Sequence, residues 1–288
     1  MGFPAETASR FRFFIPNESN APKARPGIFT GKVRVQSYHT FAKDKIILLL
    51  VLAEPTRWPP TASLFMNSPH TSPPADGWFR QVRIRVLTWW PAKMAGTTLG
   101  MTVFFIVYFW VLNHPHFPIS IMPLTGIDRL IDFRPESLPL YLSLWFYVSL
   151  APALLVERRE LVSYGLATVG LSVIGLGIFF FWPTAVPRPD INWSQYPSFD
   201  FLKSADAAGN ACPSLHVAFA VFTAVWFERL LRQMNASRFV RRLNWLWCLG
   251  ILYSTVATRQ HVSLDVVAGA ILGLSAALLH LRWLRGAG

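Results

Sequence analysis

Three short polar segments in an otherwise apolar sequence contain residues that could carry out chemistry. They are Arg188-Pro189-Asp190, then Cys212-Pro213-Ser214-Leu215-His216, and then Thr258-Arg259-Gln260-His261 with Asp265 four residues further on. Each segment lies at the edge of a long apolar run. Ionisable residues at such positions are costly in free energy and usually serve function. These segments are therefore the candidates for a functional site.

The third segment could supply a nucleophile or a base. His261 and Asp265 are four residues apart, so on a helix their side chains share one face. An aspartate beside one imidazole nitrogen can accept its hydrogen and leave the other nitrogen free to attack or to take a proton. The same spacing also fits a local hydrogen bond with no catalytic role.

The first and second segments could bind an anion. A helix that starts near Ser214 would direct free backbone N–H groups towards a phosphate, with Pro213 in its first turn and His216 beside the anion. Arg188 offers a planar guanidinium to phosphate oxygens. His216 alone would fit a helix cap equally well. The combination of His216, His261 and Arg188 on one face favours phosphoryl chemistry over these structural roles.

A metal site is not favoured by this set of residues. Asp265 is the single plausible carboxylate that accompanies the two histidines, whereas zinc sites usually take three or four protein ligands. We expect no metal ion and no other cofactor.

The bulk composition identifies a bilayer as the solvent of the protein. Of the 288 residues, 52% are hydrophobic and only 15% are charged, and the mean hydropathy is +0.35. A soluble globule of this size would need more charge on its surface. The sequence predicts an all-α fold, a polytopic membrane bundle of six transmembrane helices, at residues 95–112, 138–156, 161–182, 215–231, 243–258 and 262–283. Several glycines in these runs are expected to allow close helix packing, among them Gly170, Gly175, Gly177, Gly269 and Gly273.

The distribution of basic residues predicts the orientation in the membrane. The net charge of +12 could indicate nucleic-acid binding, but the basic residues form short clusters between apolar runs, as in cytoplasmic loops. The clusters at 78–93, 158–159, 229–242 and 282–285 belong to one side. We therefore expect a multi-pass protein of the plasma membrane with both termini cytoplasmic, the three polar segments on the outer side, and no nucleic-acid partner.

The first part of the chain has a different composition from the rest. Residues 1–77 are rich in Pro, Ser, Thr and Arg and have no sustained periodicity. They are predicted to form a poorly ordered cytoplasmic extension, followed by a membrane domain at 78–288. The alternating basic and apolar residues of 78–93 fit either a segment at the lipid headgroups or a solvated basic linker.

The spacing of the polar segments resembles the type 2 phosphatidic acid phosphatase superfamily. That signature has Lys, six residues and Arg-Pro; then Pro-Ser-Gly-His; then Ser-Arg, five residues, His, three residues and Asp. The likeness covers about the last two-thirds of the chain. Here the blocks read Arg188-Pro189, Pro213-Ser214-Leu215-His216, and Ser254-Thr255 with His261 and Asp265, so that Phe181, Leu215 and Thr255 depart from the signature.

The second polar segment and a loop near residues 123–128 resemble one branch of this superfamily, the branch related to inositol phosphorylceramide synthase. The sequence Cys-Pro-Ser-Leu-His-Val-Ala and the loop Pro123-Leu124…Ile127-Asp128 carry this resemblance. It implies that a lipid phosphate is the substrate and that membrane lipids surround the protein.

The resemblance also implies roles for individual residues. His261 would attack phosphorus with support from Asp265, and His216 would protonate the leaving oxygen. Arg188 and Ser214 would bind the phosphate, without a metal ion. Because Phe181 and Thr255 replace two cationic family positions, Lys203 or Arg259 would supply the missing charge.

Three functions fit the sequence. The first is a phosphatase that hydrolyses a lipid phosphate monoester or diphosphate, with water as the acceptor. The second is a phosphotransferase that passes the phosphate or phospho-head group to an alcohol. The third is a non-catalytic lipid carrier, which the loss of the two cationic positions would favour.

Overall fold

Helices form nearly all of the regular structure in the residues that the computed structural model describes, namely 76–200, 202 and 209–286. The predicted N-terminal extension therefore lies almost entirely outside the described residues. Two-residue strands β1 (Ser120–Ile121) and β2 (Thr184–Ala185) pair in parallel. The helices are α1 (Asp76–Leu87), α2 (Trp90–Asn113), α3 (Gly126–Leu130), α4 (Leu138–Leu142), α5 (Leu144–Leu154), α6 (Arg158–Phe181), α7 (Leu215–Gln233), α8 (Arg238–Ala257) and α9 (Ser263–Gly286).

Four helical segments are long and apolar enough to cross a membrane. They are Trp90–Asn113, Pro135–Leu154, Arg158–Phe181 and Ser263–Gly286, and they coincide with four of the six predicted spans. The other two predicted spans, 215–231 and 243–258, lie in α7 and α8. The end of α7 and the start of α8 contain several charged residues, and both are predicted to lie on the cytoplasmic side. The all-α class and the membrane helices are thus confirmed, with four spans supported by length and composition.

The central element is α7, which packs against α9, α8 and α5. Its side chains include Phe222, Trp226 and Leu230, all with no exposed surface. Because α7 is enclosed by other helices, its stability depends on protein contacts more than on contact with lipid. In contrast, only 6% of the apolar window of α2 is buried within the protein, as expected for a helix that faces lipid.

Glycines set the close approach of α9 to α7. A Cβ atom added to Gly269 would collide with the carbonyl oxygen of Ser214, and one added to Gly273 would collide with the carbonyl oxygen of Ala218. The predicted packing role is therefore confirmed for these two positions. Gly175 also fits it, since the side chain of Leu215 occupies the space beside it. The prediction is wrong for Gly170 and Gly177, which have open space around them.

The basic segment before the first span is tied to the end of α5. Arg85 donates to the carbonyl of Leu154 (3.2 Å), Trp89 donates to that of Val156 (3.1 Å), and Lys93 donates to that of Ala153 (2.7 Å). Cations satisfy the free carbonyls at a helix C-terminus and interact favourably with its dipole. The segment is therefore part of the folded domain and not a solvated linker.

Candidate active site

The three polar segments meet where α6 and α8 end and where α7 and α9 begin. Thr184, in the strand after α6, accepts a hydrogen bond from Cys212 N through its Oγ1 (2.8 Å) and from Ala211 N through its carbonyl (3.2 Å). Ser214 N in turn donates to the carbonyl of Asp265 (3.0 Å). These links hold the second segment between β2, which precedes Arg188, and the first turn of α9.

A tight turn at the end of α8 presents His261. Arg259 N donates to the carbonyl of Val256 (3.0 Å) and Gln260 N donates to that of Thr255 (3.0 Å), which is the Schellman pattern of a helix end. Arg259 has the left-handed backbone that such a motif requires, with φ of 58°. Glycine usually fills this position, and another residue there costs about 1 kcal/mol or more. His261 N follows directly and also donates to Thr255 O (3.1 Å).

His261, in the turn before α9, faces Asp265, which lies in the first turn of that helix. The distance from His261 Nδ1 to Asp265 Oδ2 is 3.5 Å, and the side chains are 9% and 0% exposed. Asp265 Oδ2 also accepts a hydrogen bond from Val262 N (3.0 Å). Catalytic hydrogen bonds are often long before substrate binds. The carboxylate is therefore placed to orient the imidazole, with Nε2 as the nitrogen directed away from Asp265.

Ser214 and His216 begin α7. Ser214 is the N-cap residue, and its buried Oγ accepts a hydrogen bond from Val217 N (3.3 Å). The expectation that Pro213 lies in the first helical turn is wrong, because Pro213 precedes the cap and the hydroxyl of Ser214, a preferred N-cap residue, starts the helix. His216 Nε2 lies 3.1 Å from the carbonyl of Tyr141, which can only accept, so Nε2 carries the hydrogen in a neutral ring and Nδ1 is unprotonated.

The imidazole of His216 is held by aromatic rings. Its centroid lies 4.1 Å from that of Tyr141 in a stacked arrangement, and Trp145 meets it edge-on. The bond from Ser214 N to the carbonyl of Asp265 joins the start of α7, which carries His216, to the start of α9, which follows His261. The structure thus brings the two histidines, which are 45 positions apart in the sequence, to one end of the bundle.

A cavity of about 400 Å³ opens beside His261. Arg188 and Arg259, both predicted to bind phosphate, line it, and so does Arg129, which the sequence analysis did not single out. Ser214 and His216 do not line this cavity as the side chains stand. Lys203, the other residue predicted to supply charge, lies outside the described residues.

The residues that depart from the family signature do not line this cavity. Phe181 is 70% exposed at the end of α6, where its ring contacts that of Phe117. Thr255 is fully buried, and its Oγ1 donates to the carbonyl of Leu252 (2.7 Å). The Leu215 side chain fills the space beside Gly175. Positions 181 and 255 therefore contribute no positive charge to the cavity.

Cys212 lies beside the buried carboxylate. Burial and the nearby charge of Asp265 raise the pKa of the Cys212 thiol to about 11, so the thiol is neutral at physiological pH.

Within the described ranges, no group of three or more His, Cys, Asp or Glu side chains could hold a metal ion.

The family comparison agrees with this arrangement of residues. The PAP2 superfamily matches residues 160–288, a range that contains all three polar segments and helices α6 to α9. This match supports the resemblance of residues 160–288 to the type 2 phosphatidic acid phosphatase superfamily. Comparison with curated proteins and with solved structures gives no match. The family match and the apolar helices support a multi-pass membrane protein with a lipid phosphoryl reaction of the phosphatase or phosphotransferase type.

Proposed function

We propose that the protein is a metal-independent phosphatase that hydrolyses a lipid phosphate monoester or diphosphate through a phosphohistidine on His261. The observation that carries the proposal is the His261–Asp265 pair beside a cavity lined by arginines. A histidine paired with a buried carboxylate is suited to nucleophilic attack. Guanidinium groups suit the charge of a phosphoryl group in transfer.

The first half of the reaction transfers the phosphoryl group to the protein. Nε2 of His261 attacks phosphorus while the bond between phosphorus and the lipid oxygen breaks. The leaving oxygen takes a proton from Nδ1 of His216, whose ring enters this step as the imidazolium. Asp265, 3.5 Å from Nδ1, stabilises the positive charge that develops on the imidazole of His261.

The second half releases phosphate. Water attacks phosphorus, the bond to Nε2 breaks, and His216 takes the proton of the water, which restores both histidines. Because Nε2 of His216 faces Tyr141 O, Nδ1 is the nitrogen that exchanges the proton. Arg188 and Arg259 hold the phosphate oxygens, and Ser214 and Lys203 are further candidates for this role.

The proposed membrane arrangement has six spans. Helices α7 and α8 would complete the four apolar segments, with their arginine-rich ends at the cytoplasmic surface under the positive-inside rule. Both termini are then cytoplasmic, and the cavity beside His261 faces the outer side of the plasma membrane. A lipid phosphate in the outer leaflet would reach it directly.

A phosphotransferase with the same phosphohistidine is the second candidate. The likeness of Cys212-Pro213-Ser214-Leu215-His216 to the inositol phosphorylceramide synthase branch favours it. A non-catalytic carrier is the third, and the absence of a cation at positions 181 and 255 favours that function. Inositol added to the assay separates the first two, because a transferase would place the radiolabelled phosphate in inositol phosphate and not in free phosphate.

The experiment measures phosphate release in detergent from phosphatidate, a polyprenyl diphosphate and a sphingolipid phosphate, with EDTA present. We expect the wild type to release phosphate, and we expect His261→Ala and His216→Ala each to abolish this release. The control His116→Ala changes an exposed loop histidine and should leave the release intact. Undiminished release by His261→Ala would exclude the phosphohistidine. Binding of lipid without any turnover would support the carrier.

A further inference from the structure

The positive charge around the cavity comes from three arginines on three separate segments, and Asp128 and Asp190 also line it. Arg129 lies in α3, Arg188 follows β2, and Arg259 follows α8, and all three line the cavity with His261. Within the described part of the chain, none of them has a carboxylate within 4.0 Å. Arginines that are not neutralised by the protein attract an anion into the cavity they share.

Arg129 is brought to this cavity by its neighbour Asp128. Asp128 is 2% exposed and lies in the short helix α3. Its carboxylate accepts hydrogen bonds from Ser263 N (2.7 Å) and Ser263 Oγ (2.9 Å), and its carbonyl accepts one from Arg259 Nη1 (3.0 Å). Ser263 is two residues after His261. The loop that carries Arg129 is therefore fixed to the turn that carries the proposed nucleophile.

The anchoring is reinforced within α3 itself. Thr125 forms a capping box with Asp128, in which Asp128 Oδ2 accepts hydrogen bonds from Thr125 N (2.7 Å) and Thr125 Oγ1 (2.9 Å). The carboxylate thus receives four hydrogen bonds from two segments that are far apart in the sequence. Such a fully satisfied buried group defines one arrangement of the chain around it.

We propose that Arg129 is a further phosphate-binding residue of this site and that Asp128 is the positioning residue that places it. Arg129 supplies the positive charge that Phe181 and Thr255 do not. The inference rests on the proposed function for the identity of the anion, a phosphoryl group attached to a lipid. The guanidinium of Arg129 binds its non-bridging oxygens and takes no part in bond making.

The test compares Arg129→Ala and Arg129→Lys with Arg134→Ala. Arg134 is a matched control, because it belongs to the same loop, is exposed, and does not line the cavity. Two readouts are used for each protein in detergent: kcat/KM for phosphate release from phosphatidate, and the concentration of orthovanadate that half-maximally raises the thermal unfolding temperature. The second readout needs no turnover.

We expect Arg129→Ala to lower kcat/KM and to weaken vanadate binding, each by on the order of 10- to 100-fold, because it removes a charge-assisted hydrogen bond to phosphate. Arg129→Lys should recover part of both losses, and Arg134→Ala should match the wild type. If Arg129→Ala matches Arg134→Ala in vanadate binding, the assignment of Arg129 is overturned. If the wild type binds vanadate through Arg129 but releases no phosphate, the proposed function fails and the anion site stands.

Discussion

At the Gln233 end of α7, three arginines pair with carboxylates, whereas at the His216 end three arginines have no carboxylate partner among the described residues. Arg232 and Arg241 both donate to Glu228 Oε1 (2.7 and 2.8 Å), and Arg229 donates to Glu160 (2.6 Å). The two ends are separated by about 17 residues of helix, or roughly 25 Å. The same residue type thus has a structural role at one end and is available to a ligand at the other.

The comparison separates two uses of a buried carboxylate. Glu228 is surrounded by cations and neutralises them within the protein. Asp265 faces an imidazole and a backbone N–H and has no arginine partner among the described residues. Neutralising each carboxylate should therefore have different consequences, one for stability and the other for turnover.

The largest expected effect is that of Asp265→Asn on turnover. Asp265 Oδ2 faces both Val262 N and His261 Nδ1. An amide oxygen in its place lacks the charge that stabilises the imidazolium, and an amide nitrogen there would donate to Nδ1 and place the proton on Nε2, where the proposed attack occurs. We expect kcat for phosphate release to fall by on the order of 10³-fold, with little change in the unfolding temperature. Asp132→Asn, in an exposed loop residue, is the control. A kcat within a few-fold of wild type would contradict the role of Asp265.

The second effect concerns the packing that holds the His216 end together. Gly269→Ala places a methyl group against the carbonyl of Ser214, so α7 or α9 must shift at a cost of about 1–3 kcal/mol. We expect a lower unfolding temperature and loss of most phosphate release. Gly177→Ala is the control, since open space surrounds it and alanine favours a helix by about 0.5–1 kcal/mol. Equal effects of the two changes would exclude a specific contact at Gly269.

The third effect is at the opposite end. Glu228→Gln leaves Arg232 and Arg241 without their shared carboxylate. Because both arginines are partly exposed, we expect a loss of only about 1–2 kcal/mol in the free energy of unfolding, measured as a lower melting temperature. The kcat below that temperature should not change. Glu136→Gln, in an exposed residue, should alter neither quantity. A fall in kcat for Glu228→Gln would show that the two ends are coupled.

The smallest effect is a pH dependence. Burial alone would raise the pKa of Asp128, but hydrogen bonds from Thr125 and Ser263 outweigh it and hold the pKa below its ordinary value of 3.8. This carboxylate therefore stabilises the folded state at neutral pH, and the contribution is lost as the pH falls through the folded-state pKa. The difference in melting temperature between wild type and Asp128→Asn should be full at neutral pH and shrink in acid below about pH 4. A difference that does not change with pH would exclude the charge as its source.

The helices could be predicted from the sequence because apolar runs determine them. The structure has α6 at Arg158–Phe181 and α9 at Ser263–Gly286, close to the predicted 161–182 and 262–283. The start of α2 was predicted at residue 95, five residues late. Lys93 is buried within that helix because its ammonium group donates to carbonyls of two other helices, and a hydropathy pattern does not contain such contacts.

The candidate site was predictable where its residues are close in sequence. The four-residue spacing singles out His261 and Asp265, although α9 begins only at Ser263 and His261 lies in the turn before it. Arg188 is singled out by its position after a span. Asp128 and Arg129 could not be singled out from the sequence, because the link from Asp128 to Ser263 joins residues 135 positions apart. Such a contact depends on how α3 packs against the start of α9, which no local pattern encodes.

Arg259 occupies a backbone position that glycine would fill at lower cost. Replacement with glycine would relieve the left-handed backbone of the Schellman turn and stabilise the folded state by about 1 kcal/mol. The lost hydrogen bond from Arg259 to the carbonyl of Asp128 would offset part of this gain. It would also remove a guanidinium from the cavity. The end of α8 thus offers a trade-off between robustness and activity. A directed-evolution experiment that selects only for heat resistance would therefore favour Arg259→Gly, which gives a more stable protein with lower proposed activity.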